Sequence, residues 1–247
     1  MVRSAALAGL VLSAMLHAQA PIKIDYACPA EELDAFGLSC SSEDPCPVFL
    51  DLTAVGSSGT RLFLTGNLHT QAATLAGLLL ASEDDGKTWT EPLKRVRASA
   101  LEQIQFIDLT TGWVSGERIE SLPRDAFLLL TTDGGKSWHE RAIFDEPRFG
   151  SISQFWFASK SEGELVVDHD DHGGTRHEVF ESKTGGESWE AKQSTMEPVK
   201  LQGKIPETAW RLRADAASQT FRVERRAASN WEPVASFVIH VADCTGS

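Results

Sequence analysis

Short apolar runs separated by glycine, aspartate and serine occupy the chain from Val48 onward. No stretch in this region keeps a helical apolar period for three turns. Runs of this length between turn residues are typical of β-strands. The pattern therefore predicts an all-β fold whose strands fall into four successive units.

Each unit is predicted to contain four strands. The predicted ranges are 49–55, 61–66, 75–81 and 89–96, then 102–108, 112–117, 126–132 and 138–144, then 151–158, 163–168, 177–182 and 189–193, then 196–200, 208–214, 219–226 and 231–240. The segment before the first unit, or the segment 238–244, is available to complete an extra sheet.

An eight-residue motif, Ser/Thr-x-Asp-x-Gly-x-x-Trp, lies between the third and fourth strands of the first three units. Its residues are Ser82, Asp84, Gly86 and Trp89, then Thr131, Asp133, Gly135 and Trp138, then Ser182, Gly186 and Trp189, with Thr184 in place of the third aspartate. The tryptophans are 49 and 51 residues apart, which is the length of one four-stranded unit. We therefore predict a β-propeller of about four antiparallel, four-stranded blades.

The residue types of this motif suit a tight turn. A serine or aspartate side chain accepts hydrogen bonds from the backbone of its own turn, and glycine adopts the positive φ that the turn requires. The tryptophan begins the next strand and buries a large apolar area between neighbouring sheets. We predict a structural role for the motif and assign no catalytic residue.

The three motifs resemble the Asp-box, or bacterial neuraminidase repeat, of exported β-propellers. The segment 106–116 followed by 131–138 is similar to the repeat of photosystem II assembly and stability factor-like propellers. The resemblance covers residues 48–240. It implies an exported propeller that binds or assembles other molecules, and it does not imply a photosystem.

Sialidases carry the same motif. These enzymes are similar to one another in using a tyrosine nucleophile and an arginine triad, and in having an Arg-Ile-Pro segment before the first motif. The single tyrosine here, Tyr26, lies outside every predicted blade, and no Arg-Ile-Pro precedes Ser82. The sialidase pattern is therefore missing. A glycosidase with a carboxylate pair remains the alternative, because the spacing of acids across blades is not visible in sequence.

The N-terminus has the pattern of a secretory signal peptide. Arg3 precedes an apolar run over 5–16, and Ala18-Gln19-Ala20 offers a cleavage site. We predict a signal peptide over 1–20, a cysteine- and proline-rich arm over 21–47 with a short helix at 30–36, and a propeller domain over 48–243. Export to the periplasm or the extracellular space follows, with no membrane span because the run is too short.

The four cysteines, Cys28, Cys40, Cys46 and Cys244, are an even set, which in an exported protein predicts disulfides. Two bridges allow three pairings. We favour one local bridge and one that joins Cys244 to the N-terminal group.

The formal net charge of −12 argues against nucleic-acid and anionic-lipid partners. Arginines nevertheless concentrate in the fourth unit, at Arg211, Arg213, Arg222 and Arg226. Strand alternation places Arg211 and Arg213 on one face. Two interpretations remain: a surface for a carboxylate-rich protein or anionic glycan, and cross-strand pairing with Glu224.

The segment 168–178 combines histidines with carboxylates in a predicted loop of the third unit. His169, Asp171 and His172 are the candidate ligands of a divalent metal. The spacing fits no established metal motif, and a solvated acidic loop is the alternative. We expect no cofactor.

Tryptophans outside the motifs, Trp113, Trp156 and Trp210, suit either sugar stacking or the space between blades. Taken together, the sequence predicts a non-enzymatic exported module, monomeric or homodimeric, that binds a protein or a glycan. A carbohydrate-active enzyme is the alternative function.

Overall fold

The computed structural model describes residues 20–119, 125–146, 148–171, 173–201, 203 and 209–245. These residues form one short helix and sixteen strands. The elements are α1 (Ala30–Ala35), β1 (Cys46–Ser58), β2 (Arg61–His69), β3 (Thr74–Ser82), β4 (Val96–Arg97), β5 (Ser99–Phe106), β6 (Gly112–Arg118), β7 (Asp125–Thr131), β8 (His139–Ala142), β9 (Ser151–Phe157), β10 (Gly163–Asp171), β11 (Gly174–Ser182), β12 (Glu190–Thr195), β13 (Trp210–Asp215), β14 (Thr220–Ala227), β15 (Asn230–Val238) and β16 (His240–Cys244).

The strands form four antiparallel sheets that follow one another along the chain. The first sheet has the order β16-β1-β2-β3-β4, the second β5-β6-β7-β8, the third β12-β11-β10-β9 and the fourth β13-β14-β15. The predicted all-β propeller fold is therefore confirmed. Apart from β16, which is added to the first sheet, the strands of each sheet are neighbours in chain order and form a simple meander.

Buried apolar clusters lie between consecutive sheets and make the core. One cluster joins the first and fourth sheets, where Leu64 and Phe237 are fully buried. A second joins the first and second sheets around Phe63. A third joins the second and third sheets around Trp113 and Phe157. In the described residues no such cluster joins the third and fourth sheets.

The two ends of the chain close the first and fourth sheets. Strand β16 pairs with the start of β1, with Cys46 opposite Cys244. Ile22 of the arm pairs in parallel with Phe237 at the outer edge of β15, and the Ile22 N–H donates to the Ser236 carbonyl at 2.8 Å. The segment 238–244 thus extends the first sheet and does not form an extra one.

Two disulfides hold these ends together. Cys28 bonds to Cys244 and Cys40 bonds to Cys46. The prediction of one local bridge and one bridge from Cys244 to the N-terminal group is confirmed. The Cys28–Cys244 bridge links the arm to β16, so it joins both closing segments of the ring.

Three predicted elements are wrong in detail. Residues 196–200 form no strand, so the fourth sheet has three strands; Pro198 has no N–H for a strand ladder. Residues 89–96 shrink to a bridge between Ala81 and Thr90 and the two residues of β4, with Pro92 between them. The predicted loop 168–178 is a hairpin, in which β10 and β11 pair as far as Asp171 opposite Gly174.

Candidate functional site

The first motif turn is held by its own side chains. The Ser82 hydroxyl accepts from the Gly86 N–H at 2.8 Å and donates to Asp84 at 2.9 Å. Asp84 accepts from the Thr88 N–H at 2.8 Å and from the Thr88 hydroxyl at 2.7 Å. These bonds lower the pKa of Asp84 to about 2, and the bond from the backbone N–H of Thr88 has the largest effect. The carboxylate is therefore committed to its turn.

The second turn repeats this arrangement and the third loses part of it. Asp133 accepts from the Ser137 hydroxyl at 2.6 Å and from the Ser137 N–H at 3.0 Å, and Ser137 holds its pKa below the usual range. In the third turn the Thr184 hydroxyl accepts from the Ser188 N–H at 2.9 Å. The neutral hydroxyl of Thr184 thus accepts the N–H bond that the charged carboxylate of Asp133 accepts in the second turn.

Each turn also contacts the sheet before it. Gly135 has φ of +82°, and a β-carbon placed there would lie 2.5 Å from the ring of Phe63 in the first sheet. Trp113 of the second sheet donates its indole N–H to Gly185 in the third turn at 2.9 Å. A β-carbon on Gly86 would meet Val234 of the fourth sheet at 2.7 Å. We therefore propose that the motif residues couple sheets and carry no chemistry.

The hairpin of the third sheet uses its histidines in protein contacts. Nε2 of His169 lies 3.1 Å from Glu178, and its Nδ1 lies against the Phe149 carbonyl. Nδ1 of His177 lies 2.7 Å from Asp168 on the opposite strand. Both ring nitrogens of His169 are occupied, so metal ligation would require one of these contacts to break.

The proposed metal set extends beyond what the structure describes. His172 and the side chain of Asp171 lie outside the described part of the structure. Within the described part of the chain, no group of three or more His, Cys, Asp or Glu is placed to hold a metal ion. The metal site stays a prediction whose one placed member, His169, is already hydrogen-bonded.

The register places the candidate arginines on one face of the fourth sheet, whereas Arg225 lies on the other face. Arg213 lies directly opposite Arg222, and Arg211 lies opposite Glu224. Arg211 forms a 2.6 Å ion pair with the buried Glu224 and sits 4.3 Å above the ring of Trp231. Cross-strand pairing with Glu224 therefore accounts for Arg211.

The other arginines of this face differ in their partners. Arg222 forms an ion pair with Asp215. Arg213 is exposed, and the described residues offer it no ion-pair or hydrogen-bond partner. Arg226 is exposed at the end of the same strand. We call Arg211, Arg213, Arg222 and Arg226 the basic face. Its role in binding stays a prediction.

A cavity of about 430 Å³ lies where the inner strands of the sheets meet. Sequence reasoning did not find it, because its walls come from four separate units. Its lining residues are Thr53, Ala54, Val55, Gly56 and Ser57 of β1, Glu102, Gln103, Ile104, Gln105 and Phe106 of β5, Phe155 and Trp156 of β9, and Ala209 before β13. We call this the axial cavity.

One carboxyl lines the axial cavity. Burial raises the pKa of Glu102, and the negative charges of Glu117 and Asp51 raise it further, although a hydrogen bond from Asn67 opposes this. The Asn67 amide donates to one Glu102 oxygen at 3.1 Å. A side chain with these neighbours holds a proton more readily than an ordinary glutamate.

The single tyrosine lies apart from this cavity. Tyr26 donates to Glu32 of α1 at 2.7 Å, and burial together with that carboxylate raises its pKa. It belongs to the contact between the arm and the first sheet, beside a cavity lined by Glu91, Lys94 and Arg95.

Known proteins provide no assignment beyond the fold. No family model and no curated protein matches the chain. Among solved structures, it is similar to YCF48 bound to a D1 peptide, at 17% identity over 79% of this chain and 60% of that chain, with a TM-score of 0.41. It is also similar to a polysaccharide lyase, an ulvan lyase, at 8% identity over 81% and 53%, with a TM-score of 0.42. A Penicillium chrysogenum α-L-arabinanase complexed with arabinobiose matches at 14% identity over 79% and 62%, with a TM-score of 0.38.

The chain spans between about half and three-fifths of the length of these three structures. At these identities, no activity, ligand or partner follows from the similarity. No helix in the described residues is long and apolar enough to cross a membrane.

Proposed function

We propose that this protein is an exported, non-enzymatic binding module that presents the basic face to an acidic partner, either a carboxylate-rich protein segment or an anionic glycan. The observation that carries the proposal is the pair Arg213 and Arg222, side by side on an accessible sheet face of a chain with net charge −12. Guanidinium groups bind carboxylates and sulfates in a planar, two-point geometry.

Export is part of the proposal and rests on separate features. The apolar run 5–16 and the Ala-Gln-Ala sequence support a signal peptide. Two disulfides among the described residues fit an oxidising compartment. The three motif turns support membership of the Asp-box propellers, in the group similar to photosystem II assembly and stability factors.

The test is direct binding to two acidic probes, a poly-glutamate peptide and polygalacturonate, measured by calorimetry at low and high salt. We expect Arg213→Ala to weaken binding by about tenfold, because one charge-assisted contact contributes on the order of 1–2 kcal/mol. Binding should also weaken with salt, since the face is exposed.

Arg141→Ala is the matched control, because Arg141 lies on β8 of another sheet. Among the described residues its guanidinium donates only to the neighbouring Glu140 carbonyl. Equal losses in Arg213→Ala and Arg141→Ala would show nonspecific charge attraction and contradict the proposal. Absence of binding to both probes at low salt would contradict it as well.

A carbohydrate-active enzyme is the second candidate, and Glu102 is the observation that favours it. A glycosidase needs a protonated carboxyl as acid and a second, ionised carboxylate. Glu102 has a raised pKa, and Glu117 and Asp51 are the negative charges that act on it. This combination supports an acid at the axial cavity.

The enzymatic candidate is tested by release of reducing ends from a panel of polysaccharides by the purified protein. If it is correct, Glu102→Gln removes turnover by at least a hundredfold while Glu190→Gln, an exposed carboxylate on β12, leaves it unchanged. No turnover of any polysaccharide in the panel leaves binding as the function.

A further inference from the structure

The axial cavity is built from strands of the first three sheets and from Ala209, which precedes β13, whereas the basic face lies on the fourth sheet alone. Its walls are segments of β1, β5 and β9 together with Ala209. A volume of about 430 Å³ lies within the range of roughly 300–1,000 Å³ that small-molecule sites occupy. The cavity can therefore enclose a ligand of one or two rings.

Some polar groups of the lining are already bound, and the rest define what the cavity can recognise. The Thr53 hydroxyl donates to the Leu101 carbonyl at 2.8 Å, and the Gln105 amide bonds to both the N–H and the carbonyl of Phe157. These side chains hold the wall together. Their hydrogen-bonding groups are therefore not available to a ligand.

Three lining side chains retain capacity. The Gln103 amide nitrogen donates to the Ser153 carbonyl at 3.0 Å, so its oxygen is available as an acceptor. Glu102 receives the Asn67 bond on one oxygen only. The Ser57 hydroxyl has no hydrogen bond among the described residues. An amide oxygen, a hydroxyl and a carboxyl together suit a ligand rich in hydroxyl groups.

Charge narrows the ligand class further. Among the described residues, Glu102 is the one charged side chain in the lining of this cavity, and burial raises its pKa. The described lining residues include no cation, so they offer an anionic ligand no counter-charge, and burial of an unpaired charge is costly. A neutral ligand is therefore favoured.

Aromatic rings complete the wall. Phe106 is held in place by stacking on Phe63, with ring centroids 4.8 Å apart. Trp156 lines the cavity and is only partly buried, whereas Trp113 is fully buried in the core. A partly exposed indole beside hydroxyl-binding groups offers an apolar face to a sugar ring, whose hydroxyls meet the polar groups.

We propose that the axial cavity binds a neutral saccharide of one or two rings, with Trp156 against a ring face and Glu102, Gln103 and Ser57 as hydroxyl partners. This inference does not rest on the basic face, and it requires no bond breakage.

The experiment is calorimetric titration of the mature protein with cellobiose, xylobiose, arabinobiose and mannobiose. We expect one of these probes to bind with 1:1 stoichiometry. Trp156→Ala should weaken that binding at least tenfold. Because Gly203 packs on the Trp156 ring, the milder Gln103→Ala is the second variant, with an expected loss of about fivefold.

Two further variants separate this site from the other proposals. Trp231→Ala changes an indole on the basic face and should leave saccharide affinity unchanged. Glu102→Ala removes one of the proposed hydroxyl partners and should weaken saccharide binding about fivefold. No binding of the four probes at millimolar concentration, or equal affinity in wild type, Trp156→Ala and Gln103→Ala, would overturn the inference.

Discussion

The junction between the second and third sheets differs sharply from the junction between the third and fourth. At the first junction the rings of Trp113 and Phe157 stack in parallel with centroids 3.7 Å apart, inside a buried cluster. At the second, the Gln154 amide donates to the Val199 carbonyl at 2.7 Å and accepts from the Leu201 N–H at 3.2 Å. We call the first the apolar junction, because among the described residues it alone of the two has a buried apolar cluster, although Gln105 also bonds across it. We call the second the hydrogen-bonded junction.

The difference follows the distribution of the turn motif. The third motif supplies Gly185, whose carbonyl accepts from Trp113, so it ties the third sheet to the second. The fourth sheet has no such motif. Among the described residues, no aromatic side chain of the third sheet donates a hydrogen bond to a turn of the fourth. Buried apolar clusters therefore hold three junctions. At the fourth, the described residues show hydrogen bonds from Gln154 to Val199 and Leu201, and Gly203 packed on the Trp156 ring.

The largest expected effect comes from removing the ring at the apolar junction. We expect Trp113→Ala to lower the free energy of unfolding by roughly 3–5 kcal/mol, because it empties a fully buried indole site and removes the bond to Gly185. Denaturant titration followed by circular dichroism measures it. Trp231→Ala, at a partly exposed indole, is the matched control and should cost less than about 1 kcal/mol. Equal costs would show that the junction does not carry the stability.

A smaller effect is expected within the motif turns. Asp133→Ala removes an acceptor of two backbone N–H bonds and two hydroxyl bonds, and should cost about 1–2 kcal/mol. Thr184→Ala removes the weaker neutral equivalent and should cost less than about 1 kcal/mol. The same denaturant titration compares the two variants. A larger loss for Thr184→Ala would contradict the proposed role of the aspartate.

The turn motif was predictable from sequence, because its bonds are local. Ser82, Asp84 and Gly86 contact one another within five residues, so their spacing alone encodes the turn. The number of strands in the last unit was not predictable. It depends on Pro198 and on Gln154, whose amide takes the backbone groups that a strand would have used.

The axial cavity was invisible for a related reason. In the sequence, Glu102 and Gln103 are polar positions of an ordinary strand, and only the meeting of four distant units places them in one cavity with Trp156. Two polar residues in succession at the start of the predicted strand 102–108 were the available signal. Their pairing across units is set by tertiary packing, which strand periodicity does not encode.

Acid should weaken the motif turns. The pKa of Asp84 is lowered from 3.8 to about 2 in the fold, mainly by the Thr88 N–H. Because the folded pKa lies below the unfolded pKa, the ionised carboxylate stabilises the fold above about pH 4, and this contribution disappears as pH falls through about 2. We expect unfolding free energies measured between pH 5 and pH 2, the latter in about 0.1 M salt, to fall less steeply in Asp84→Asn than in wild type. If the free energy of unfolding falls equally steeply with pH in both proteins, the Asp84 bonds are not the source of the loss of stability in acid.

The smallest effect is expected at the hydrogen-bonded junction. Gln154→Ala should lower the free energy of unfolding by less than about 1 kcal/mol, because the segment it binds can open without disturbing a buried cluster. Amide hydrogen exchange at Leu201 should nevertheless accelerate. Gln105→Ala is the matched variant at the apolar junction, because the Gln105 side-chain amide bonds to both the carbonyl and the N–H of Phe157. It should accelerate exchange at Phe157 and leave Leu201 unchanged. If both variants accelerate both amides alike, the two junctions open together and the contrast between them fails.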